Sequence, residues 1–361
     1  MTSLSDPVRP VRIIADDLTS AADGAAPFLP GAVHLARGAW ADGAVVALDC
    51  DSRAAPVKAA VARVSAAAAQ VPGEAILLKT VDSTLRGHVR EEIAACFAAS
   101  GRARIVMAPA FPAAGRVTRG GVQYVDGVPV DRSPYGADAV HPVRSADIMA
   151  LMGDIAGPVR LCRADQAPTA EAGAIVLDCA DQAALDRWIA RLPSPETCLF
   201  VGSPGLAIAL GRRFGGASAA PASQAPRAGG LVVVGSGNPV SQRQAAALAD
   251  LPPGWRVLTA PADPGDPRAI LARLADTAAA HIRATGPGTL IATGGETMAA
   301  ILDRLGISRM RLTGEIEPGF PLCEASFNGR PLALAMKAGG FGGPDVLARA
   351  MTRLCPISET E

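Results

Sequence analysis

The segment Lys79-Thr80-Val81-Asp82-Ser83-Thr84-Leu85-Arg86-Gly87 places an ammonium, a carboxylate, three hydroxyls and a guanidinium within nine residues. Those groups suit a small, hydroxylated, anionic ligand: cations neutralise its charge, hydroxyls bond its hydroxyls, and a carboxylate can orient or deprotonate one of them. A second such place is Asp16-Asp17, followed by Thr19, Ser20 and Asp23. One carboxylate there would suffice to cap a helix. Two adjacent ones repel, which favours a base, a hydroxyl acceptor or a metal ligand over a cap alone. A third place is the Pro/Gly-rich stretch 109–121, with Arg116, Thr118 and Arg119 among its glycines. It reads as an irregular surface loop or an anion contact.

The C-terminal third carries glycine turns instead: Gly235-Ser236-Gly237, Gly294-Gly295-Glu296-Thr297 and Gly339-Gly340-Phe341-Gly342, the last preceded by Lys337. Glycine lets backbone N–H groups approach a phosphate closely, and a following helix adds its dipole. Three such turns point to a nucleotide site of an unfamiliar kind. There is no GxxxxGK[ST], no complete GxGxxG, and no protein-kinase signature set.

All of these groups follow apolar runs that read as buried strands, at 11–15, 44–48, 75–78, 104–108, 231–234, 289–292 and 331–336, with further strands at 174–178, 197–201 and 256–258. Helical spacing follows at 56–70 and 89–97, and after most glycine turns. Strand–helix alternation with polar strand ends predicts an α/β fold of two domains, each with a mainly parallel sheet flanked by helices. The expected division is 1–214, a linker at 215–230 with almost no bulky residue, and 231–361. Short strand-like pieces at 122–125 and 128–130 suggest a hairpin excursion over the site.

Composition narrows the class. The 361 residues carry no net charge and no basic block, which excludes nucleic acid and anionic membrane as evident partners. No apolar run reaches the roughly 18–20 residues of a membrane span, and the polar start lacks signal-peptide design. A cytoplasmic enzyme is expected. Seven scattered cysteines form no CxxC pair and read as buried free thiols, and four isolated histidines show no zinc-ligand spacing. Only three of the 34 basic residues are lysines, Lys58, Lys79 and Lys337. Two of these stand in turns after strands, where a compact point charge has uses that Arg does not share.

The segments ADDLTSAAD, KTVDSTLRG, PAFPAAGR, GGET, GEIEPGFP and KAGGFGG occur in this order, and the chain resembles the four-carbon acid sugar kinase family, formerly a domain of unknown function, number 1537. The resemblance implies an N-terminal sugar-acid-binding domain, a C-terminal ATP-binding domain, and phosphorylation of a tetronate-type acid at its terminal hydroxyl in the interdomain cleft. ATP and Mg²⁺ are the implied cofactors. Asp16, Asp17, Lys79, Asp82, Ser83, Thr84 and Arg86 match its N-terminal motifs; Ser236, Gly294, Gly295, Glu296, Thr297, Lys337, Gly339 and Gly340 fall on its nucleotide motifs. The expected catalytic groups are Asp17, Asp82 and Lys79. Asp16, Ser83, Thr84, Arg86 and Arg116 are the expected substrate contacts, with Arg86 and Lys79 on the carboxylate. Glu296 and Glu315 are candidate metal or water ligands, and no metal ligand set is assigned.

Ser20, the Gly235-Ser236-Gly237-Asn238 run, Gly340 and Ala139 depart from the usual motifs and leave the particular acid open. So does the rest of the sequence: a kinase of a glycerate-like or branched acid would use the same residues. A sensor with the same fold would bind without transfer. A nicotinamide enzyme would need the missing fingerprint. Oligomeric state is open, a homodimer included.

Overall fold

The computed structural model describes residues 9–138, 141–163, 165–169, 171–215, 229–248, 251–261 and 265–355. The expected linker at 215–230 and the departure at Ala139 lie largely or wholly outside them. The chain divides into two compact units, Met1–Ser218 and Ala219–Glu361.

The first unit runs β1 (Val11–Ala15), α1 (Leu18–Ala25), β2 (Val33–Arg37), β3 (Val45–Asp49), α2 (Val57–Ala68), β4 (Ile76–Thr80), α3 (Val89–Ser100) and β5 (Arg104–Ala108). An excursion follows, with β6 (Arg116–Arg119), β7 (Val122–Val125), β8 (Val128–Pro129) and α4 (Ile148–Met152). The unit closes with β9 (Val159–Arg163), β10 (Gly173–Asp178), α5 (Gln182–Arg191), β11 (Cys198–Gly202) and α6 (Pro204–Phe214). Its main sheet has the order β2-β3-β1-β4-β11-β5-β10-β9, and every pair is parallel. Parallel strands need both faces covered, and β3, β4, β5 and β11 are buried at every position.

From β1 the chain winds to one side through β2 and β3, then crosses to the other at β4. The crevice between the carboxyl ends of β1 and β4 is therefore the place where an open α/β sheet accepts a ligand. Register aligns those ends, with Ala15 beside Asp49, Ile14 beside Lys79, and Thr80 beside Gly202.

Two features differ from the expectations of sequence. The stretch 109–121 contains a regular strand, β6, because Gly120 and Gly121, both with positive φ, turn the chain back so that Arg116–Arg119 pairs antiparallel with β7. β2 and β9 escaped prediction because their sequences, VHLAR and VRLCR, interrupt the apolar run. β9 is an edge strand, where polar side chains cost little, and the polar side chains of β2 are only half-buried.

The second unit runs β12 (Gly230–Val234), α7 (Pro239–Ala246), β13 (Trp255–Thr259), α8 (Pro267–Thr285), β14 (Thr289–Thr293), α9 (Gly295–Leu305), β15 (Arg309–Glu315), β16 (Pro321–Phe327), β17 (Arg330–Lys337) and α10 (Val346–Leu354). Its order is β13-β12-β14-β17-β16-β15, parallel through β17 and then antiparallel. The chain leaves β12 toward β13 and β14 toward the opposite side, so a second switch point lies between the ends of β12 and β14. All seven cysteines are free thiols, five of them buried. Among the described residues no helix is long and apolar enough to cross a membrane.

Candidate active site

Arg53 organises the carboxyl edge of the first unit. The backbone N–H groups of Ser52 and Arg53 donate to the Asp16 carbonyl at 2.9 and 3.1 Å, which brings the β3 loop against the end of β1. The Arg53 guanidinium then forks onto Asp16, with Nε to Oδ2 at 2.7 Å and the second nitrogen to Oδ1 at 2.9 Å. It also donates to Asp17 Oδ2 and, at 2.8 Å, to Ser20 Oγ. Asp17 is the N-cap of α1, its Oδ1 accepting from Ser20 N at 2.6 Å. The cap and the ion pair coexist on opposite oxygens of one carboxylate.

The two aspartates are driven apart electrostatically. Burial pushes the Asp16 carboxyl up, but Arg53 and then Lys79 outweigh it and hold Asp16 below the ordinary carboxylate range. For Asp17 burial wins over Arg53, and the neighbouring Asp16 charge adds to it, so that carboxyl lies above its ordinary value. Asp17 is also the more open of the two, at 21% side-chain exposure against 7%. A fixed anion beside a more basic, accessible one is a division of labour suited to proton transfer.

The β4 loop is built around Asp82. Its Oδ1 accepts from the Thr84 N–H and hydroxyl, both at 2.8 Å, and its Oδ2 from Arg86 Nε at 2.7 Å. These bonds hold Leu85 at φ +61°, a left-handed conformation that costs an ordinary residue about 1–2 kcal/mol. Leu85 itself is buried in the core, which keeps it there. Arg86 reaches Asp138 at 3.5 Å as well and lies 5.3 Å over the Tyr135 ring. Thr84 is buried and its hydroxyl is engaged by Asp82, whereas Ser83 is half-buried.

Lys79 lies inside the unit, 1% exposed. Its Nζ meets Glu92 Oε2 and the Thr80 carbonyl, each at 2.8 Å. Burial works against the ammonium, but Glu92 and then Asp16 outweigh it and raise its pKa. Glu92 sits in the first turn of α3. The pair therefore ties the two ends of the 80–88 loop together from below, and its charge acts at the strand ends on Asp16.

The excursion supplies groups with weaker sequence signals. The buried Gln123 donates to the Ser83 carbonyl at 2.8 Å and accepts from Thr118 Oγ1 at 2.8 Å, pinning β7 to the β4 loop. Tyr135, Asp138 and His141 follow. His141 faces His88 edge-on at 6.1 Å between ring centres. Burial, then His88 and Arg53, lower the His141 pKa. Arg116 donates to the Ala114 carbonyl and, at 3.2 Å, to the Tyr135 hydroxyl. Arg53 and Tyr135 were not singled out as site residues from sequence. The Asp49-Cys50-Asp51-Ser52-Arg53 run after a buried strand carries the same polar signal as the other strand ends, while Tyr135, one of two tyrosines, carries only its rarity.

In the second unit the three glycine turns pack on one another. A Cβ at Gly235 would lie 2.2 Å from Thr297 Oγ1, and one at Gly339 would lie 2.2 Å from Ser236 Oγ. Gly294 takes φ +96°, donates to the Lys337 carbonyl at 2.7 Å, and opens α9 without a side-chain cap. The first-turn N–H groups of that helix are thus left for an anion. Gln244 Nε2 holds the carbonyls of Phe341, Gly342 and Gly343 at 2.9–3.0 Å. Lys337 Nζ, wholly buried, donates to Ser241 Oγ and to the Ala338 and Gly339 carbonyls at 3.0–3.2 Å. Burial lowers its pKa to about 8. Ser236, Gly295, Thr297 and Gly340 share this end of the sheet, and Glu296 is exposed in the first turn of α9. Glu315 is occupied locally, accepting from Gly319 N at 2.9 Å. Among the described residues no group of three or more His, Cys, Asp or Glu side chains is placed to hold a metal ion.

Comparison with known proteins finds two matching family models. The family model described as a sugar-binding N-terminal domain matches residues 11–210, and one described as a nucleotide-binding C-terminal domain matches 258–347. The chain is 34% identical to a protein named D-threonate kinase from Bordetella bronchiseptica, over 94% of this chain and 96% of that one. It is 29% identical to a 3-oxo-tetronate kinase from Methylobacterium radiotolerans, over 86% and 89%. A solved Haemophilus influenzae protein assigned to the domain of unknown function 1537 superposes with a TM-score of 0.72, covering 95% of this chain and 100% of that one. At 19% identity it speaks to the fold alone.

Proposed function

We infer the reaction from one premise: this chain belongs to the four-carbon acid sugar kinase family. The protein transfers the terminal phosphoryl group of ATP to the terminal hydroxyl of a four-carbon sugar acid, a threonate, erythronate or 3-oxo-tetronate, giving the 4-phosphate and ADP. The observation that carries this reading is the Asp16–Arg53–Asp17 arrangement at the switch point between β1 and β4. Asp17 Oδ2 accepts the proton of the acceptor hydroxyl as its oxygen attacks phosphorus and the bond from phosphorus to the bridging oxygen of ADP breaks. Arg53 follows the change in charge on Asp17, and Asp16 keeps Arg53 in place. Ser83 bonds a substrate hydroxyl, and Asp82 fixes the loop that presents it.

The second unit holds the donor. The backbone N–H groups of Gly294–Thr297, with the turns at Ser236 and Gly339-Gly340, take the phosphates, and Lys337 fixes the last turn from beneath. Phosphoryl transfer depends on positioning and charge stabilisation more than on covalent help from the protein. Magnesium, arriving with the nucleotide, would supply charge neutralisation on its phosphates.

ADP release is the test, measured with ATP and Mg²⁺ over D- and L-threonate, D- and L-erythronate, their 3-oxo forms and glycerate. Turnover on a four-carbon acid supports the reading. Turnover on glycerate alone moves the protein to a three-carbon acid. Acid binding with no ADP release on any substrate would make it a sensor with this fold.

A further inference from the structure

Three arginines stand in the loops that bear the expected site residues, and their charges are disposed of differently. Arg53 is matched by Asp16 and Asp17. Arg86 lies between Asp82 and Asp138. Arg116 has only neutral partners among the described residues, the Ala114 carbonyl and the Tyr135 hydroxyl, and its Nε is buried with none. A new carboxylate gains little from a guanidinium already shared by two others. It gains most from one that is half-buried, rigid and uncompensated.

Arg116 is also held in place. Its backbone N–H and carbonyl both pair with Phe111, at 3.1 and 2.9 Å. Gly115 before it takes φ +73°, and a Cβ there would lie 2.2 Å from Asp126 Oδ1. The Tyr135 ring lies against Arg86 while its hydroxyl meets Arg116, so one side chain spans from the neutralised arginine to the free one.

We propose that Arg116, with the Tyr135 hydroxyl beside it, is the seat of the substrate's carboxylate, and that Arg86 is a positioning residue for the Asp82 loop and not the anion contact. This rests on the kinase reading and names the group that makes the enzyme specific for an acid over the corresponding polyol or amide. Arg116 and Tyr135 of the excursion then select the acid end, while Asp17 acts on the hydroxyl end.

The test is calorimetric titration of the full-length protein with the tetronate that it binds and with the carboxamide of that same acid. Arg116→Met should weaken the acid about 100-fold, the loss expected for a charge-assisted contact, and change the amide less than threefold. Arg116→Lys should recover part of the acid affinity. Tyr135→Phe keeps the ring over Arg86 and should cost the acid about tenfold, with the amide unchanged. It decides the matter alone if Arg116→Met does not fold. Equal losses for acid and amide, or an unchanged acid affinity in these variants, overturn the proposal. Acid binding without ADP release in the wild type overturns the kinase reading and leaves the carboxylate seat standing. Wild-type binding of none of the acids overturns both.

Discussion

Lys79→Met tests whether the buried ammonium acts by holding the substrate loop. The substitution keeps most of the side-chain volume and removes the partner of Glu92, which is 2% exposed and whose Oε1 already lacks a hydrogen bond. Breaking a buried pair from one side costs about 3–5 kcal/mol, because the remaining charge is stranded. With a urea m-value of about 3 kcal/mol/M, a loss of about 4 kcal/mol lowers the midpoint by roughly 1.3 M. Trp40 and Trp188 report unfolding of the first unit by fluorescence. Removing both charges, as Lys79→Met with Glu92→Leu, should restore stability to within about 1 kcal/mol of the wild type or better. Acid binding should return with it, since the loop ends are again tied by packing. Two results would refute this reasoning: a single variant as stable as the wild type yet inactive, or a restabilised double variant that still binds no acid. Either would mean that the ammonium itself acts on the substrate or on Asp16.

Asp17→Asn should keep α1 intact, because asparagine caps as well as aspartate, yet lower kcat about 10²-fold or more; turnover within a few-fold of wild type would remove Asp17 as the base. Gly235→Ala drives a methyl group into Thr297, an overpacking that costs about 1–3 kcal/mol. ATP affinity measured with a fluorescent analogue should fall at least tenfold, with acid binding unchanged. Because the Lys337 pKa is lowered to about 8, its charge is present below that pH and lost above it. ATP affinity should therefore fall as pH rises through 8, and Lys337→Met should flatten that profile. Its effect on stability runs the other way. The unfolded chain holds this proton up to the ordinary value of 10.5, so buried Lys337 lowers stability below about pH 8, and that penalty is relieved as pH rises from 8 to 10.5.

The architecture is legible in the order of the residues, because a doubly wound sheet has a local signature. Parallel strands covered on both faces must be runs of apolar residues, and polar groups or glycines at their ends mark where the chain turns toward ligand. Hence 11–15 and 104–108 were legible to the residue, and the glycine turns were legible as turns at strand ends. The alternating strands β15 and β16 were not. Arg309-Met310-Arg311-Leu312 alternates, and a search for continuous apolar runs passes over it, as over the adjoining β16. Which charges meet is set by the fold and cannot be read from spacing. Nothing in the spacing says that Lys79 turns inward to Glu92 while Arg53, 37 residues from Asp16, forks onto it. Nor does it say that Arg86 is enclosed by two carboxylates while Arg116 is not. Those pairings depend on strand order and register, which bring together residues far apart in sequence, and the energy of a charge is set by the neighbours it meets there.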